Sequence, residues 1–502
     1  MRFLLLPIIS LLLLVPAVVN AGEITETDLR AHIEILAGDD FGGRKPGTEG
    51  ENKSVNYIAS QWAKAGLKPA ANASSWYTPV TLVERVPVDQ EIRLTLSKNG
   101  RRKPVRLNGE EVILRGRTQF DEITDAQVVF AGYSVAPSPE GSTGLSGKLV
   151  LLPLQAPRDN KDIADYSERK ASFLAAGATG IITIIDDGGR WVRNLRRYRR
   201  PGTTLAGEDH HATIEGLITK KQVRKLFKKS GVDFDKARAA SVLPDARLLH
   251  LPVYSDLSVE TSAREYQSHN VIGKIPGTKP DRGAVLFLGH WDHFGTCRTQ
   301  DANATAQDLI CNGAIDNASG ISLLIEVAKQ LAGTRPDRDI YFLATTAEEL
   351  GLLGAKAFVE NPLFPLNSLV AVFNADTIAL TPEGKKIAVV GRGETDLDTE
   401  IEKVANAERR EIDMIDKPNA YLKRQDGYVF LEKGIPAFMI TSAFADEERL
   451  NAFINKRYHD VTDQLDDGLL LGGAKDDANF HVALGKYFAN TLTYPQKATS
   501  DK

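Results

Sequence analysis

The feature that most constrains this chain is an alternation of apolar strands and helices that begins near residue 284. Five segments follow one another as strand, helix, strand, helix and strand: "AVLFLGH", "NASGISLLIEVAKQLAG", "DIYFLAT", "EELGLLGAKAFVEN" and "LVAVFNAD". Strands that are apolar throughout are typical of a parallel sheet covered by the intervening helices. The sequence therefore predicts an α/β fold with a central, mostly parallel sheet and helices on both faces.

The N-terminus has the pattern of a secretory signal. Residues 1–21 contain Arg2, an apolar run interrupted by Pro7 and Pro16, and the small residues Val19 and Ala21 before the expected cleavage point. A membrane anchor is the alternative, but the run is shorter than the roughly 20 residues that a span requires. We therefore expect cleavage near Ala21, export to the periplasm or beyond, and no stable membrane anchor.

The remaining chain is long enough for two domains. Residues 22–119 contain helical segments, a glycine-rich loop and short alternating strands, and we assign them to the N-terminal part of the main domain. Residues 120–262 contain short β-branched runs, which indicate a smaller inserted β-rich α/β module. Residues 263–497 form the main part of the first domain.

The charge of the chain argues against nucleic acid as a binding partner. Removing residues 1–21 leaves 61 basic and 66 acidic side chains, a net charge of −5 that argues against nucleic-acid binding. The basic stretches "RWVRNLRRYRRPG" and "ITKKQVRKLFKKSG" are more typical of solvated surfaces.

Cys297 and Cys311 are the only cysteines of the sequence. In an exported chain they predict a disulfide, with two free buried thiols as the alternative.

Polar residues follow the predicted strands at the points where those strands end. The carboxyl ends of parallel strands meet at one edge of a sheet, where ligands and catalytic groups gather. The candidates are His290, Asp292, Asp316, Glu348, Glu349 and Asp376, joined by Tyr458 and His459 from the later stretch "NKRYHDVTDQLDD".

Each candidate has an ordinary structural explanation when it is taken alone. Asp316 has the position of a helix cap, and Thr346 with Glu349 has the spacing of a capping box. Their accumulation at one edge nevertheless favours a metal centre, because imidazoles and carboxylates are ligands that suit zinc. Asp292 lies two residues after His290, where it could orient that imidazole from behind.

These motifs resemble a known family. The stretches "GHWDH", "NGAIDNASG", "TAEELGLLGA", "NADTIA", "KGIPAFMI" and "YHDVTDQLDD" are similar to those of zinc aminopeptidases of the bacterial leucyl-aminopeptidase type, whose relatives include glutamate carboxypeptidase and glutaminyl cyclase. Residues 120–262 resemble the protease-associated domain that many members carry as an insertion. The resemblance implies peptide substrates and two zinc ions per chain.

The resemblance also implies a role for each motif residue. His290 and Asp376 would bind one zinc, Glu349 and His459 the other, and Asp316 would bridge them. Glu348 would be the general base, Tyr458 a donor to the developing oxyanion, and Asp292 the group that orients His290. His293 matches no ligand of the family and is expected to be structural.

One stretch departs from the family pattern. "RQDGYVF" stands where many members have Ser-Asp-His, so that Asp426 is kept between Gln425 and Gly427. This difference bears on the substrate pocket rather than on the metals.

The predicted function is that of an exported dizinc metallo-aminopeptidase. A carboxypeptidase or dipeptidase on the same site is the first alternative, with Arg424 as the candidate clamp for a substrate carboxylate. Cyclase activity is disfavoured because that branch works with one zinc. A non-catalytic, receptor-like zinc-binding relative is disfavoured because all five ligands and Glu348 are present.

Overall fold

The computed structural model describes residues 22–71, 74–136, 144–157, 160, 163–207, 213–243, 246–297, 309–415 and 417–495. The predicted signal segment, residues 1–21, lies outside these ranges. Within them, every helix is too short or too polar to cross a membrane. The chain forms two compact units, Met1–Val80 with Ser268–Lys502, and Thr81–Gln267.

The helices and strands follow one another along the chain in three stretches. The first unit begins with α1 (Glu26–Leu36), α2 (Glu49–Ala65) and β1 (Lys68–Pro69). The strand β2 (Tyr77–Lys98) then enters the second unit, which holds β3 (Arg101–Val105), β4 (Val112–Gly116), β5 (Phe120–Phe130), β6 (Leu149–Pro153), α3 (Tyr166–Ala175), β7 (Gly180–Ile185), α4 (Gly189–Tyr198), β8 (Gly202–Leu205), β9 (Ile214–Thr219), α5 (Lys220–Lys229) and α6 (Phe234–Ala240).

The strand β10 (Leu249–Ile275) returns the chain to the first unit. There follow β11 (Ala284–His290), β12 (Gly295–Thr296), β13 (Ile310–Cys311), α7 (Ser319–Ala332), β14 (Asp339–Thr345), α8 (Leu353–Glu360), β15 (Leu369–Asn374), β16 (Ala388–Val390), α9 (Asp398–Ala407), α10 (Gly427–Leu431), β17 (Ala437–Thr441), α11 (Glu447–Lys456) and α12 (Leu471–Phe488).

The sheet of the first unit is mostly parallel, which confirms the predicted fold class. Its order is β16, β17, β15, β11, β14 and the last residues of β10. The strands β17, β15, β11 and β14 run parallel, β16 and β10 pair antiparallel on either side of them, and β1 pairs antiparallel with β10. His290 lies beside Thr345 in the pairing of β11 with β14, so these two strands end level with each other.

Both faces of this sheet are buried. Phe287, Phe342 and Phe373 point to one face, where they pack with apolar residues of α1, α2, α7 and α12. Leu286 and Leu343 point to the other face, against residues of α8 and α10. Because successive strand residues face opposite sides, a strand covered on both sides must be apolar throughout, as the sequence predicted.

The second unit has its own sheet, ordered β10, β5, β6, β7, β9 and β4, in which β5, β6, β7 and β9 run parallel. Its limits are wider than residues 120–262, because β4 pairs with β9 and β2 pairs with β8. These pairings join residues before 120 to the module. In α5, Val223, Leu226 and Phe227 are buried within a stretch that is otherwise rich in lysine.

Candidate metal centre

The predicted site residues gather at the carboxyl edge of the first unit's sheet. His290 is the last residue of β11, Glu348 and Glu349 follow β14, and Asp376 follows β15. Asp316 lies in the irregular turn before α7. Tyr458 and His459 follow α11 and complete the group. These residues come from five separate stretches of chain, and together they form what we call the rim.

Two clusters of ligand atoms share Asp316. The Nε2 atom of His290 is 3.3 Å from Asp316 Oδ1 and 3.6 Å from Asp376 Oδ1. The Nε2 atom of His459 is 3.4 Å from Asp316 Oδ2 and 2.9 Å from Glu349 Oε2. The two oxygens of Asp316 therefore face different imidazoles, so this carboxylate belongs to both clusters.

The imidazole and carboxylate atoms of the two clusters are better suited to bind zinc than to form hydrogen bonds with one another. Within the described ranges, the buried Nε2 atoms of His290 and His459 and Oε1 of Glu349 have no hydrogen-bond partner. Each nonetheless lies within 3.4 Å of an oppositely charged or polar neighbour in the cluster. One ligand atom each from His290, Asp316 and Asp376 lie within 4.8 Å of one another, which is close enough to hold a metal ion. Imidazole nitrogens and carboxylate oxygens around such an ion are zinc ligands.

The electrostatics of this group of residues also favour the binding of cations. Burial raises the pKa of Asp292 to about 8, and the charge of Glu349 adds to the effect. Burial likewise raises the pKa of Glu348 well above its usual value, with the charges of Glu349 and Asp426 contributing. For His459 the carboxylates of Glu349 and Asp316 outweigh burial and raise the pKa to about 10. A buried set of carboxylates this dense is stabilised by bound positive charge.

Glu348 and Glu349 do not cap a helix. The helix α8 begins only at Leu353, and Ala347 has a left-handed backbone with φ of +54°. The Thr346 hydroxyl lies 2.6 Å from that of Ser268, in a hydrogen bond between the two side chains. The capping-box alternative is therefore wrong, because an irregular turn separates the glutamates from the helix.

Asp292 connects His290 to the turn that carries Glu348. The Nδ1 atom of His290 lies 3.1 Å from the backbone oxygen of Asp292. Because a carbonyl only accepts, Nδ1 carries the proton, and Nε2 is left to bind a metal. The Asp292 carboxylate is 3.8 Å from His290 Nδ1 and accepts the backbone N–H of Glu348 at 3.1 Å. Asp292 thus positions two parts of the site at once.

Comparisons with known proteins relate this part of the chain to a peptidase family. Residues 270–475 match the family model described as Peptidase family M28. These residues form a peptidase family M28 domain. The segment contains every predicted site residue, from His290 to His459.

Several relatives are similar to parts of this chain. The "Vacuolar membrane protease" of Kluyveromyces lactis is 31% identical over 150 residues, which cover 30% of this chain and 14% of that protein. The "Alkaline phosphatase isozyme conversion protein" of Escherichia coli is 33% identical over 93 residues, covering 18% of this chain and 26% of that protein. The matched regions thus span about one seventh and one quarter of these curated relatives.

A solved structure shares the fold. The "Aminopeptidase from Aneurinibacillus sp. strain AM-1" superposes with a TM-score of 0.53 at 17% identity. The match covers 96% of this chain and 97% of that one. At this level of identity the likeness establishes the fold alone.

Two further residues of the M28 domain support the metal cluster. His293 is 1% exposed, and its Nδ1 lies 2.6 Å from Glu349 Oε1. With Asp316 and Glu349 it forms a group that could hold a metal ion, whereas the sequence predicts a structural role for it. The Asp463 carboxylate accepts the backbone N–H groups of Ile315 and Asp316, both at 3.0 Å. His293 lies in the motif "GHWDH" and Asp463 in "YHDVTDQLDD", so the sequence already placed both residues near the predicted ligands.

Arg44 ties the ligand-bearing loops together from outside the matched segment. Its guanidinium is 1% exposed and donates to the carbonyls of Leu36, Trp291, Asn312 and Gly313. The loops that carry His290 and Asp316 are thereby fixed to one rigid cation. Burial lowers the pKa of Arg44 to about 10, against the opposing charge of Asp463. Arg44 lies in the glycine-rich stretch "GRKPGTEG", whose sequence predicts a loop and resembles the family's N-terminal segment, without indicating this role.

A cleft adjoins the metal cluster. It is lined by Glu348, Asp376 and Tyr458 on the metal side and by the apolar residues Met439, Phe444, Leu450, Phe453 and Ile454 on the other. Arg424 and Gln425 also line this cleft. The neighbouring Asp426 is buried and accepts a hydrogen bond from the Thr345 hydroxyl. The departure from the family pattern therefore falls at the cleft.

Cys297 and Cys311 form the predicted disulfide, with their Cα atoms 5.5 Å apart. The bridge lies between the "GHWDH" and "NGAIDNASG" motifs of the M28 domain, next to the short pair β12 and β13. Residues 298–308 lie outside the described ranges.

Proposed function

We propose that this protein is a dizinc metallo-aminopeptidase that removes N-terminal residues from peptides. The observation that carries the proposal is the sharing of Asp316 between two clusters, with His290 and Asp376 on one side and Glu349 and His459 on the other. These residues would hold two zinc ions. Bound there, zinc supplies a water of lowered pKa and polarises the scissile carbonyl.

Glu348 is the proposed general base. It lines the cleft beside Asp316 and Asp376, and its raised pKa moves it toward the range in which a carboxylate both accepts and returns a proton. In the proposed reaction it takes a proton from the attacking water and later gives it to the leaving amine. Asp292 holds the backbone of Glu348 in place for both transfers.

Tyr458 is the proposed donor to the oxyanion. Arg424 Nη2 lies 3.2 Å from the Tyr458 hydroxyl, and a guanidinium can only donate. The hydroxyl oxygen is therefore the acceptor in this bond, and its single proton is left to donate elsewhere. The Tyr458 ring stacks on His459 with centroids 3.6 Å apart, which keeps the hydroxyl at the cleft. That proton is available to the oxygen that becomes negative in the transition state.

The apolar side of the cleft supports a preference for large apolar N-terminal residues. Met439, Phe444 and Phe453 offer apolar surface next to the metal side of the cleft. A leucine or phenylalanine side chain buried there gains about 1.5–3 kcal/mol of binding free energy relative to exposure. Charged N-terminal side chains would lack this gain.

The test uses matched substrates. Leucine p-nitroanilide and its N-acetylated twin differ only in the free α-amine, which a carboxylate-rich metal rim favours. We expect hydrolysis of the free substrate and at least a hundredfold slower hydrolysis of the acetylated one. Equal rates on both would rule out the aminopeptidase assignment. Aspartate p-nitroanilide serves as the control for side-chain preference.

A carboxypeptidase or dipeptidase is the second candidate, favoured by the position of Arg424 in the cleft. A substrate carboxylate bound by this guanidinium would make activity depend on a free C-terminus. Dipeptide acids and the corresponding amides separate the two functions. Loss of activity on the amides, together with a raised KM for the acids in R424M, would favour the second candidate.

We propose two further features from the sequence. Residues 1–21 direct export to the periplasm or the medium. N-terminal sequencing of the mature protein tests this, because cleavage after Ala21 leaves Gly22 as the first residue.

Residues 120–262, within the second unit, act as a protease-associated domain. Replacing that unit should leave zinc content unchanged, because no proposed ligand lies in it.

A further inference from the structure

A buried carboxylate in α2 lies behind the turn that carries Glu348 and Glu349. Glu51 is 2% exposed, and it lies outside the segment that matches family M28. A buried charge is costly unless hydrogen bonds compensate it. The proposed reaction gives Glu51 no role, and its hydrogen bonds show which part of the molecule it supports.

Three donors bond to the Glu51 carboxylate. Its Oε2 atom accepts the backbone N–H of Gly47 at 2.6 Å and the Ser268 hydroxyl at 2.9 Å. Its Oε1 atom lies 2.9 Å from Nδ1 of His269. Because a carboxylate only accepts, Nδ1 of His269 carries a proton. Two of the three bonds therefore come from the side chains of consecutive residues of β10.

The hydroxyl of Ser268 connects Glu51 to Thr346. It lies 2.6 Å from the Thr346 hydroxyl, and both side chains are fully buried. Ser268 has one hydroxyl proton, and it donates that proton to Glu51. In the bond between the two hydroxyls Thr346 is therefore the donor. The carboxylate of Glu51 thereby sets the direction of both bonds.

Thr346 is held at two further points. Its backbone N–H donates to the Asn270 side chain at 3.0 Å, and its backbone oxygen accepts the N–H of Gly354 at 2.9 Å. The next residue, Ala347, has a left-handed φ of +54°, which is unfavourable for a residue other than glycine and persists only where its surroundings fix it. The bonds of Thr346 thus fix the backbone immediately before the two glutamates.

The same part of β10 also bonds to the loop that carries His290. Trp291 is fully buried and donates from Nε1 to the backbone oxygen of His269 at 3.0 Å. The ring of His269 is in turn bonded to Glu51. Glu51 is therefore linked to both ligand-bearing segments, through Ser268 to the turn after β14 and through His269 to the loop after β11.

We infer that Glu51 is a positioning residue, which holds the turn of Glu348 and Glu349 in the geometry that proton transfer and metal binding require. The inference rests on the proposed function, which assigns those two roles. Without Glu51 the Ser268 hydroxyl loses its acceptor and can rotate, so its bond to Thr346 can reverse or break. A displacement of a reacting group by about 1 Å can slow a reaction about a hundredfold.

Hydrogen exchange of the metal-free, full-length protein tests the inference without reference to activity. In Glu51→Ala we expect the amides of residues 346–352 to exchange about tenfold faster than in the wild type, with exchange in α12 unchanged. Wild-type exchange in residues 346–352 would overturn the inference. An equal increase in both segments would show a role in overall stability and would also overturn it.

Kinetics of the zinc-loaded enzyme supply the second readout. Glu51→Ala should lower kcat on leucine p-nitroanilide by about ten- to a hundredfold and change KM by less than about twofold, because the residues that line the cleft are unaltered. Glu49→Ala removes an exposed glutamate of the same helix and is the matched control, expected to keep the wild-type kcat.

Glu51→Gln tests rescue by a conservative change. The amide oxygen can accept from both Gly47 and Ser268, and His269, whose side chain is 37% exposed, can present its other tautomer to the amide nitrogen. Most of the wild-type kcat should therefore return. A wild-type kcat in Glu51→Ala would overturn the inference. Absence of hydrolysis by the wild type would overturn the proposed function instead, and the exchange experiment would then decide the role of Glu51.

Two further variants test the path through the hydroxyls. Ser268→Ala and Thr346→Val each break the bond between the two hydroxyls, and Thr346→Val does so without a change of shape. If Glu51 acts through this bond, the double variant should lose no more kcat than the more affected single variant. Both variants keep the charge of Glu51 and so serve if Glu51→Ala does not fold. Additive losses would show that the two hydroxyls act independently and would overturn the inference.

Discussion

Glu348 and Glu349 are adjacent in the sequence, but their carboxylates have pKa values shifted in opposite directions. Burial, with the charges of Glu349 and Asp426, raises the pKa of Glu348. For Glu349, contacts with His459 and His293 outweigh burial and the charge of Asp316, so its pKa is lowered. One carboxylate is thus suited to accept and release a proton, and its neighbour to remain ionised as a ligand. Two predictions follow from this difference.

Glu348→Gln should retain zinc and the fold but lose turnover by about a hundredfold or more, the scale of general acid–base catalysis. Glutamine keeps the size of the side chain and cannot accept the proton. Metal content by mass spectrometry, measured beside kcat, checks both parts. Glu360→Gln changes an exposed glutamate of α8 and should leave both unchanged. Activity near the wild-type level in Glu348→Gln would contradict the assignment of Glu348 as the general base.

Glu349→Gln should weaken one of the two zinc positions rather than remove a proton acceptor. Its Oε2 lies 2.9 Å from His459 Nε2, and a neutral amide is a poorer zinc ligand than a carboxylate. We expect one zinc per chain after dialysis and partial recovery of activity at high zinc concentration. Retention of two zinc ions with the wild-type affinity would contradict the assignment of Glu349 as a ligand.

Arg44→Lys should lower the free energy of unfolding by about 3 kcal/mol, because each buried carbonyl left without a donor costs about 1–3 kcal/mol. The lysine ammonium cannot reach the four backbone oxygens that the guanidinium satisfies. Urea unfolding of the metal-free protein gives the value. Arg449→Lys, a substitution at an exposed arginine of α11, is the control and should change stability by less than about 0.5 kcal/mol.

Removing the disulfide should destabilise the protein by roughly 3 kcal/mol, the chain-entropy value for a closed loop of about this length. The two cysteines are 14 positions apart in the sequence. The double variant C297S/C311S and the wild type are compared in urea with and without reductant. Reductant should lower the stability of the wild type to that of the variant and leave the variant unchanged. A wild type indifferent to reductant would argue against a stabilising bridge.

His481 should make stability depend on pH. It is fully buried in α12, its Nδ1 donates to the backbone oxygen of Asp477 at 2.7 Å, and burial lowers its pKa to about 4. The unfolded chain binds this proton near pH 6.5, so the histidine destabilises the fold progressively as pH falls from 6.5 to 4. The loss amounts to about 3 kcal/mol at about 1.4 kcal/mol per unit.

The comparison with His481→Asn isolates this contribution. Asparagine keeps a donor near the position of Nδ1 and does not titrate. The difference in unfolding free energy between wild type and variant should therefore shrink, or reverse, by about 3 kcal/mol between pH 6.5 and 4. The neighbouring Asp477, whose pKa burial raises to about 6, acts in the opposite direction in both proteins and cancels. A difference independent of pH would exclude the titration of His481.

The sequence by itself determined the fold class and the set of residues at the rim. Continuous apolar runs such as "AVLFLGH" predict strands covered on both faces, and the ends of parallel strands must lie at one edge. His290, Glu349 and Asp376 were therefore expected to meet, and the structure brings them together. These inferences succeed because periodicity and strand direction are local properties that each segment carries in its own residues.

Only the tertiary structure decided the features that depend on distant partners. The local spacing of Thr346 and Glu349 indicated a capping box. In the structure the Thr346 hydroxyl instead bonds to that of Ser268, and the helix begins only at Leu353. Residues 81–119 joined the second unit because β2 pairs with β8, more than a hundred residues away in the chain.

Arg44 and His293 also depend on distant partners. Arg44 donates to Trp291 across 247 positions of sequence. His293 approaches Glu349 only after the chain has folded. The contribution of such side chains depends on burial and on neighbours that no local pattern specifies, so their roles follow from the packing and not from the order of residues.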